Sequence, residues 1–214
     1  VSPLTVNTVL VMIGIVYLAY LLSQLAYFSG GFAGILPEGY TTAEYARRGF
    51  FEMAWLCAIN LGIIIFCLSL CRTETVAPLL TRLLCLFLGI VTLFLVATAS
   101  AKMIFYIQSY GLTRLRVLTQ VVMVFFGIVT GLVCVWLFVP KLPYMKAVLI
   151  AALVIGAAVS WADVDTLVAS YNVDRYLSGN TETVDVQYLN DLGNSAVPYI
   201  ELLAKKAPDA NTRD

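Results

Sequence analysis

The 214-residue chain contains no histidine and few charged residues. Without an imidazole there is no Ser-His or Cys-His nucleophile pair, no histidine general base and no histidine-ligated metal site. Charged residues make up 12% of the chain, about half of the roughly 25% that is usual in soluble domains. So little charge cannot cover a surface that faces water, and we therefore expect lipid to surround most of the protein.

The formal net charge is zero, with 13 basic and 13 acidic residues. A nucleic-acid partner is not expected, because phosphate binding requires an excess of lysine and arginine on one face. The chain also lacks a P-loop, a GxSxG nucleophile elbow and an HExxH motif. The five cysteines lie within or at the ends of apolar runs, where we interpret them as small packing residues. The sequence predicts no catalytic residue, no metal site and no cofactor.

Hydrophobic residues, by contrast, make up 61% of the sequence. A bilayer core about 30 Å thick requires about 20 consecutive helical residues to cross it. Five apolar segments approach or exceed this length, and glycine, proline or charged residues separate them. The sequence therefore predicts an all-α polytopic transmembrane helix bundle with about five spans. The spans are expected at residues 6–28, 49–70, 79–104, 117–139 and 147–161.

The composition becomes more polar after Asp165. We therefore predict a transmembrane helical domain over residues 1–165 and a polar tail with two short helices over residues 166–214. The two tail helices are expected at residues 186–192 and 196–206, and loops are expected at residues 29–40 and 106–112. The chain begins with Val1 and not with methionine, which we interpret as a sign of a longer parent protein.

Because each span reverses the direction of the chain, the tail and the loops after the first and third spans share one side of the membrane. On this tail side we predict a polar pocket whose arginines bind an anionic group, such as a lipid phosphate or a carboxylate. The alternative is that these residues anchor helix ends at the headgroups and form internal ion pairs. The predicted cluster consists of Glu44, Arg47, Arg48, Glu52, Lys102, Arg114, Arg116, Asp163, Asp165, Asn172, Asp174 and Arg175.

Within this cluster, we expect Arg48 and Arg114 to face the same cavity. Glu44, Arg48 and Glu52 are spaced by four residues, which places them on one helix face where they can form ion pairs. Glu52 and Lys102 lie inside or near the end of a span, where a charge costs about 2.5–3.5 kcal/mol and therefore normally pairs or lines a wet cavity.

The orientation depends on which basic residues are counted. By raw count the tail side is the more basic, and the positive-inside rule would place it in the cytoplasm. If the arginines of the second and fourth helices serve a site, the opposite side becomes the basic one, with Arg72, Arg82, Lys141 and Lys146. We therefore predict a multi-pass protein of the cell membrane whose tail lies outside the cytoplasm.

Three ordered motifs carry a family resemblance: EYARRGF at residues 44–50, GLTRLR at residues 111–116 and YNVDRY at residues 171–176. In these motifs the chain resembles a bacterial family of multi-pass membrane proteins known only as a domain of unknown function. The resemblance covers nearly the whole chain and implies that further spans precede this segment. It implies no activity, substrate or catalytic residue.

The leading hypothesis is a non-enzymatic membrane component that binds lipid or a partner protein through its tail side. The expected partners are the lipid bilayer and other membrane subunits or the N-terminal part of a longer parent chain. A transporter or channel component is the first alternative, with Glu52, Lys102 and the arginines along a path. The second is a membrane enzyme that acts on a lipid-linked substrate through Asp163 or Asp165.

Overall fold

The chain is described by a computed structural model, which covers the main chain of residues 3–32, 42–70 and 79–206. Side chains are described for residues 4–23, 50–68 and 79–206. Every regular element within these ranges is a helix, which confirms the all-α prediction.

Five long helices form the apolar part of the molecule. They are α1 (Pro3–Phe32), α2 (Thr42–Leu70), α3 (Leu79–Tyr110), α4 (Arg114–Phe138) and α5 (Tyr144–Trp161). Each contains a segment that is long and apolar enough to cross a membrane. The predicted number of spans is therefore confirmed.

The helices are longer than the predicted spans. α1 continues through Gly30 and Gly31, where a loop is predicted from residue 29. Glycine lowers helix propensity by about 1 kcal/mol but leaves the main-chain hydrogen bonds intact, so a helix can pass through it. α3 likewise continues to Tyr110, and the turn predicted at residues 106–112 is wrong for its first five residues. The rest of the predicted loop at residues 29–40 lies outside the described residues from position 33 onward.

α3 occupies the centre of the bundle and packs against α1, α2 and α4, whereas α5 packs mainly against α4. The innermost side chains are large and apolar, and they come from α2, α3 and α4. Those with less than 2% exposure include Met53, Ile64, Leu95 and Met123. No residue of α5 is buried, so this helix lies at the edge of the described bundle.

A chain of polar side chains crosses the first three helices inside this apolar core. The Tyr17 hydroxyl of α1 donates a hydrogen bond to Asn60 Oδ1 of α2. Asn60 Nδ2 donates to Thr92 Oγ1 of α3 at 3.0 Å, and the Thr92 hydroxyl donates to the Leu88 carbonyl at 2.7 Å. Asn60 and Thr92 are fully buried. Because hydrocarbon offers no water to replace these partners, the network ties the three helices together.

The polar tail folds into α6 (Val164–Leu177), α7 (Val186–Asp191), a short 3-10 helix (Gly193–Ala196) and α8 (Val197–Lys206). The two predicted tail helices correspond to α7 and α8, whereas α6 was not predicted. We call residues 164–206 the tail unit. It has a hydrophobic core of its own, built from one face of α6 and from the later helices. Leu112, from the turn between α3 and α4, is part of this second core.

Candidate functional site

The turn between α3 and α4 is the place where the tail unit meets the transmembrane helices. It consists of Gly111, Leu112 and Thr113. Gly111 has a φ of +77°, a left-handed conformation that glycine adopts without steric cost. Thr113 is the N-cap of α4, and its side chain accepts a hydrogen bond from the Arg116 N–H at 3.4 Å. The turn is therefore tight, and the main-chain groups of Leu112 contact the tail unit.

Asn172 of α6 binds this turn through both ends of its side-chain amide. The Leu112 N–H donates to Asn172 Oδ1 at 2.8 Å, and Asn172 Nδ2 donates to the Leu112 carbonyl at 2.8 Å. A Cβ atom at position 111 would lie 2.7 Å from Asn172 Oδ1. Gly111 therefore provides both the backbone conformation and the space that Asn172 needs.

Arg114 of α4 forms a two-pronged ion pair with Asp165 of α6. Its Nε and Nη2 atoms each donate to one carboxylate oxygen, the second at 2.7 Å. The Arg114 side chain is 46% exposed and the Asp165 side chain 30%, so solvent reaches the pair. The Arg114 N–H also donates to the Tyr188 hydroxyl of α7 at 3.0 Å. One residue of α4 therefore contacts two helices of the tail unit.

Two further arginines bind the C-terminal end of α3. Arg116 donates to the carbonyl oxygens of Tyr110, at 2.8 Å, and of Gly111. Its guanidinium also lies 4.2 Å from the centre of the Tyr106 ring, in a cation–π contact. Arg175 of α6 donates to the Ile107 carbonyl at 3.1 Å. The last carbonyls of a helix lack partners within the helix, and the helix dipole favours positive charge there, so both arginines stabilise the end of α3.

Asp163 joins the end of α5 to the tail unit. It is the N-cap of α6, and it accepts hydrogen bonds from the Thr166 hydroxyl at 2.6 Å and the Thr166 N–H at 3.4 Å. The Ser195 hydroxyl donates to it at 3.3 Å. These bonds, chiefly those from Thr166, lower the pKa of the Asp163 carboxyl below its ordinary value. Its φ of +36° is left-handed, which is unusual for a residue with a side chain.

Three of the other predicted site residues have side chains that the structure describes. Asp174 is exposed on α6. Glu52 of α2 and Lys102 of α3 lie close enough for the charge of Glu52 to act on Lys102. Glu44, Arg47 and Arg48 belong to α2, but their side chains lie outside the described residues. The expectation that Arg48 and Arg114 share a cavity therefore stays a prediction.

Five of the twelve predicted site residues contact the α3–α4 turn, the end of α3 or each other beside it, and Asp163 caps α6 nearby. Each of these six residues binds a group of the protein itself: Arg114, Arg116, Asp163, Asp165, Asn172 and Arg175. Tyr188 and Ser195 were missed, because an isolated tyrosine or serine in a polar tail carries no distinctive pattern. Within the described ranges, no three acidic or cysteine side chains come close enough together to hold a metal ion.

A comparison with known protein families gives a match over most of the chain. A family described as "Domain of unknown function (DUF4153)" matches residues 1–203 of the chain. No curated protein and no solved structure matches it.

Proposed function

We propose that this chain, which belongs to the DUF4153 family of unknown function, is a multi-pass membrane protein that binds a partner protein through its tail unit. One observation carries the proposal: the tail unit has its own hydrophobic core and is fastened to the α3–α4 turn by side chains of α6 and α7. This fastening holds the unit in a fixed position at one end of the transmembrane helices. A surface held in this way is suited to binding a partner.

Charge indicates what kind of partner would fit. Exposed acidic residues outnumber exposed basic ones on the tail unit: Asp174, Glu182, Asp185, Asp191 and Glu201 stand against Lys205 and Lys206 at the end of α8. Arg175, in contrast, donates inward to the end of α3. An acidic surface complements a basic segment of another protein.

Site-specific photo-crosslinking tests this proposal. A photoreactive amino acid is placed at Asp191 in the tail unit or, as a lipid-facing control, at Leu153, which is 65% exposed on α5. We expect a protein adduct of defined mass from position 191 in native membranes, weakened when Asp174 and Glu182 are both neutralised to Asn and Gln. Position 153 should crosslink to lipid. Only lipid adducts, or none, from position 191 would show that the tail unit is not a protein-binding surface.

We further propose that the tail lies outside the cytoplasm. Arg114, Arg116 and Arg175 donate hydrogen bonds to other groups of the protein. This is expected of arginines that have a role at the site, and such residues are left out when the positive-inside rule is applied. Lys141 and Lys146 are exposed on the opposite side, as the positive-inside rule requires of a cytoplasmic side. A membrane-impermeant maleimide should label Glu182→Cys in intact cells, and Lys141→Cys only after permeabilisation. The reverse pattern would place the tail in the cytoplasm.

Anionic lipid is a second candidate ligand, and the exposure of Arg114 favours it. Arg116 and Arg175 donate to main-chain carbonyls, whereas Arg114 is paired with a side chain that solvent can reach. Lipid binding at this position requires that Asp165 give way. A test is therefore to remove the Asp165 charge and to count the lipids that stay bound.

A further inference from the structure

We propose that the Arg114–Asp165 ion pair is an exchangeable lock, in which the phosphate of an anionic lipid displaces the Asp165 carboxylate and loosens the tail unit. This inference rests on the lipid-binding candidate above. It does not depend on the proposed partner protein.

The ion pair has the geometry that a phosphate needs. The planar guanidinium of Arg114 donates from Nε and Nη2 to both carboxylate oxygens of Asp165. Two oxygens of a phosphate diester match the same fork, and for this reason arginine binds carboxylate and phosphate in the same way. Asp165 therefore occupies the place that a lipid phosphate would take.

The position of Arg114 brings it to the headgroup level. Arg114 is the first residue of α4 and of the apolar segment that can cross the membrane. The next residue, Leu115, is 75% exposed, so an apolar side chain faces away from the protein beside the guanidinium. An exposed leucine beside an exposed arginine is the arrangement expected where hydrocarbon gives way to headgroups.

The pair can be exchanged because it is exposed. Solvent-accessible ion pairs contribute little to stability, since water and salt compete for both charges. A phosphate at the headgroup level would compete with the Asp165 carboxylate for the same guanidinium. The neighbouring arginines differ in this respect, because a phosphate that bound Arg116 or Arg175 would leave the carbonyls of Tyr110 or Ile107 without these donors. Arg114 is therefore the position at which an anion can enter without uncapping α3.

Displacement of Asp165 would weaken the attachment of the tail unit at the start of α6. Asp165 lies in the first turn of α6, two residues after the N-cap Asp163. Asn172 would still hold Leu112 from two helical turns further along α6. The expected result is a loosened start of α6 and a tail unit whose mobility depends on the lipids around it.

Native mass spectrometry of the full chain in dodecyl maltoside, a detergent without phosphate, provides the test. We expect Asp165→Asn to bind phosphatidylglycerol about two- to fivefold more tightly than the wild type, the factor that release of an exposed ion pair would give. Asp174→Asn is the matched control, because it removes the same charge from the same helix without touching Arg114, and it should bind like the wild type. In the double variant Arg114→Gln/Asp165→Asn the gain should disappear.

Three outcomes would overturn the lock. They are equal phosphatidylglycerol binding by Asp165→Asn and Asp174→Asn, a gain that survives in the double variant, and an equal gain with diacylglycerol, which lacks the phosphate. Inorganic phosphate is tested as an alternative ligand, and tighter binding of inorganic phosphate than of the lipid would refute a lipid ligand.

Hydrogen–deuterium exchange of residues 164–177 should rise about two- to fivefold on adding phosphatidylglycerol to the wild type. In Asp165→Asn it should be raised already and should not change. Crosslinking at Asp191 tests the partner protein separately, so either proposal can fail alone.

Discussion

The side-chain amide of Asn172 binds the N–H and the carbonyl of Leu112 at once, each at 2.8 Å. A single residue of the tail unit thus satisfies both main-chain groups of a residue in the α3–α4 turn. Leu112 is itself part of the tail core, so the turn is held by its side chain and by its main chain. Substitutions at Asn172 and at its neighbours can therefore test how the tail unit docks onto the α3–α4 turn.

Asn172→Ala should weaken that docking. The substitution leaves two main-chain groups of a buried residue without their partners, at a cost of about 1–3 kcal/mol. We expect faster hydrogen–deuterium exchange at Leu112 and a lower free energy of unfolding in detergent micelles. Asn190→Ala on α7 is the control, because Asn190 is exposed and its loss should cost less than about 0.5 kcal/mol. Equal effects of the two substitutions would contradict a docking role for Asn172.

Gly111→Ala should be more harmful than Gly179→Ala. Both glycines have left-handed backbones, with φ values of +77° and +74°, so alanine strains both by about 1–2 kcal/mol. At position 111 the new Cβ would also lie 2.7 Å from Asn172 Oδ1, whereas at position 179 it meets nothing within 4 Å. Thermal unfolding of both variants measures the difference. If they are equally stable, Asn172 moves aside at no cost and the contact is unimportant.

Thr92→Val should destabilise the transmembrane bundle more than Thr98→Val does. Both hydroxyls donate to a carbonyl of their own helix, but only Thr92 also accepts a hydrogen bond from Asn60. Hydrogen bonds between transmembrane helices are worth about 0.6 kcal/mol on average and up to about 1.7 kcal/mol. Equilibrium unfolding in mixed micelles, with Tyr17→Phe as a third variant at the far end of the network, would resolve this range. Identical losses for the two threonines would show that the link to Asn60 carries no energy.

Acid should remove the stabilisation that Asp163 provides. Because its folded-state pKa is lowered by hydrogen bonds from Thr166, the carboxylate form favours the folded state. This contribution is complete above the unfolded pKa of about 3.9 and is lost as the pH falls through the folded value. The stability difference between the wild type and Asp163→Asn should therefore stay constant from neutral pH down to about pH 5 and shrink below about pH 4. A difference that persists in stronger acid would contradict the cause assigned to the pKa shift.

The number of spans followed from the sequence, whereas their ends did not. Long apolar runs can only be buried in lipid as helices, and this constraint is strong enough to count five. The ends were missed because Gly30 and Gly31 permit a turn without requiring one. α6 was missed because its buried positions, including Val168 and Val173, lie among charged residues that gave the segment a polar composition.

For the candidate site, too, the sequence predicts some features and not others. Residue type and crossing number placed Arg114 and Asp165 in one predicted cluster on the tail side. They could not show that Arg114 and Asp165, 51 positions apart, bind each other. Such a pair depends on how the tail packs against the α3–α4 turn, and local sequence patterns do not predict this packing. The anion-binding role predicted for the arginines stays a prediction.

The exposed position of α5 means that the tail unit contributes to holding this helix in place. Because none of its residues is buried, lateral packing restrains this helix only weakly. Its two ends supply the remaining restraint: the short connector from α4 on one side, and Asp163 with α6 on the other. We therefore expect the docked tail unit to hold the C-terminal end of α5 in place, and release of α6 would leave α5 restrained only by its packing against α4 and by the connector between them.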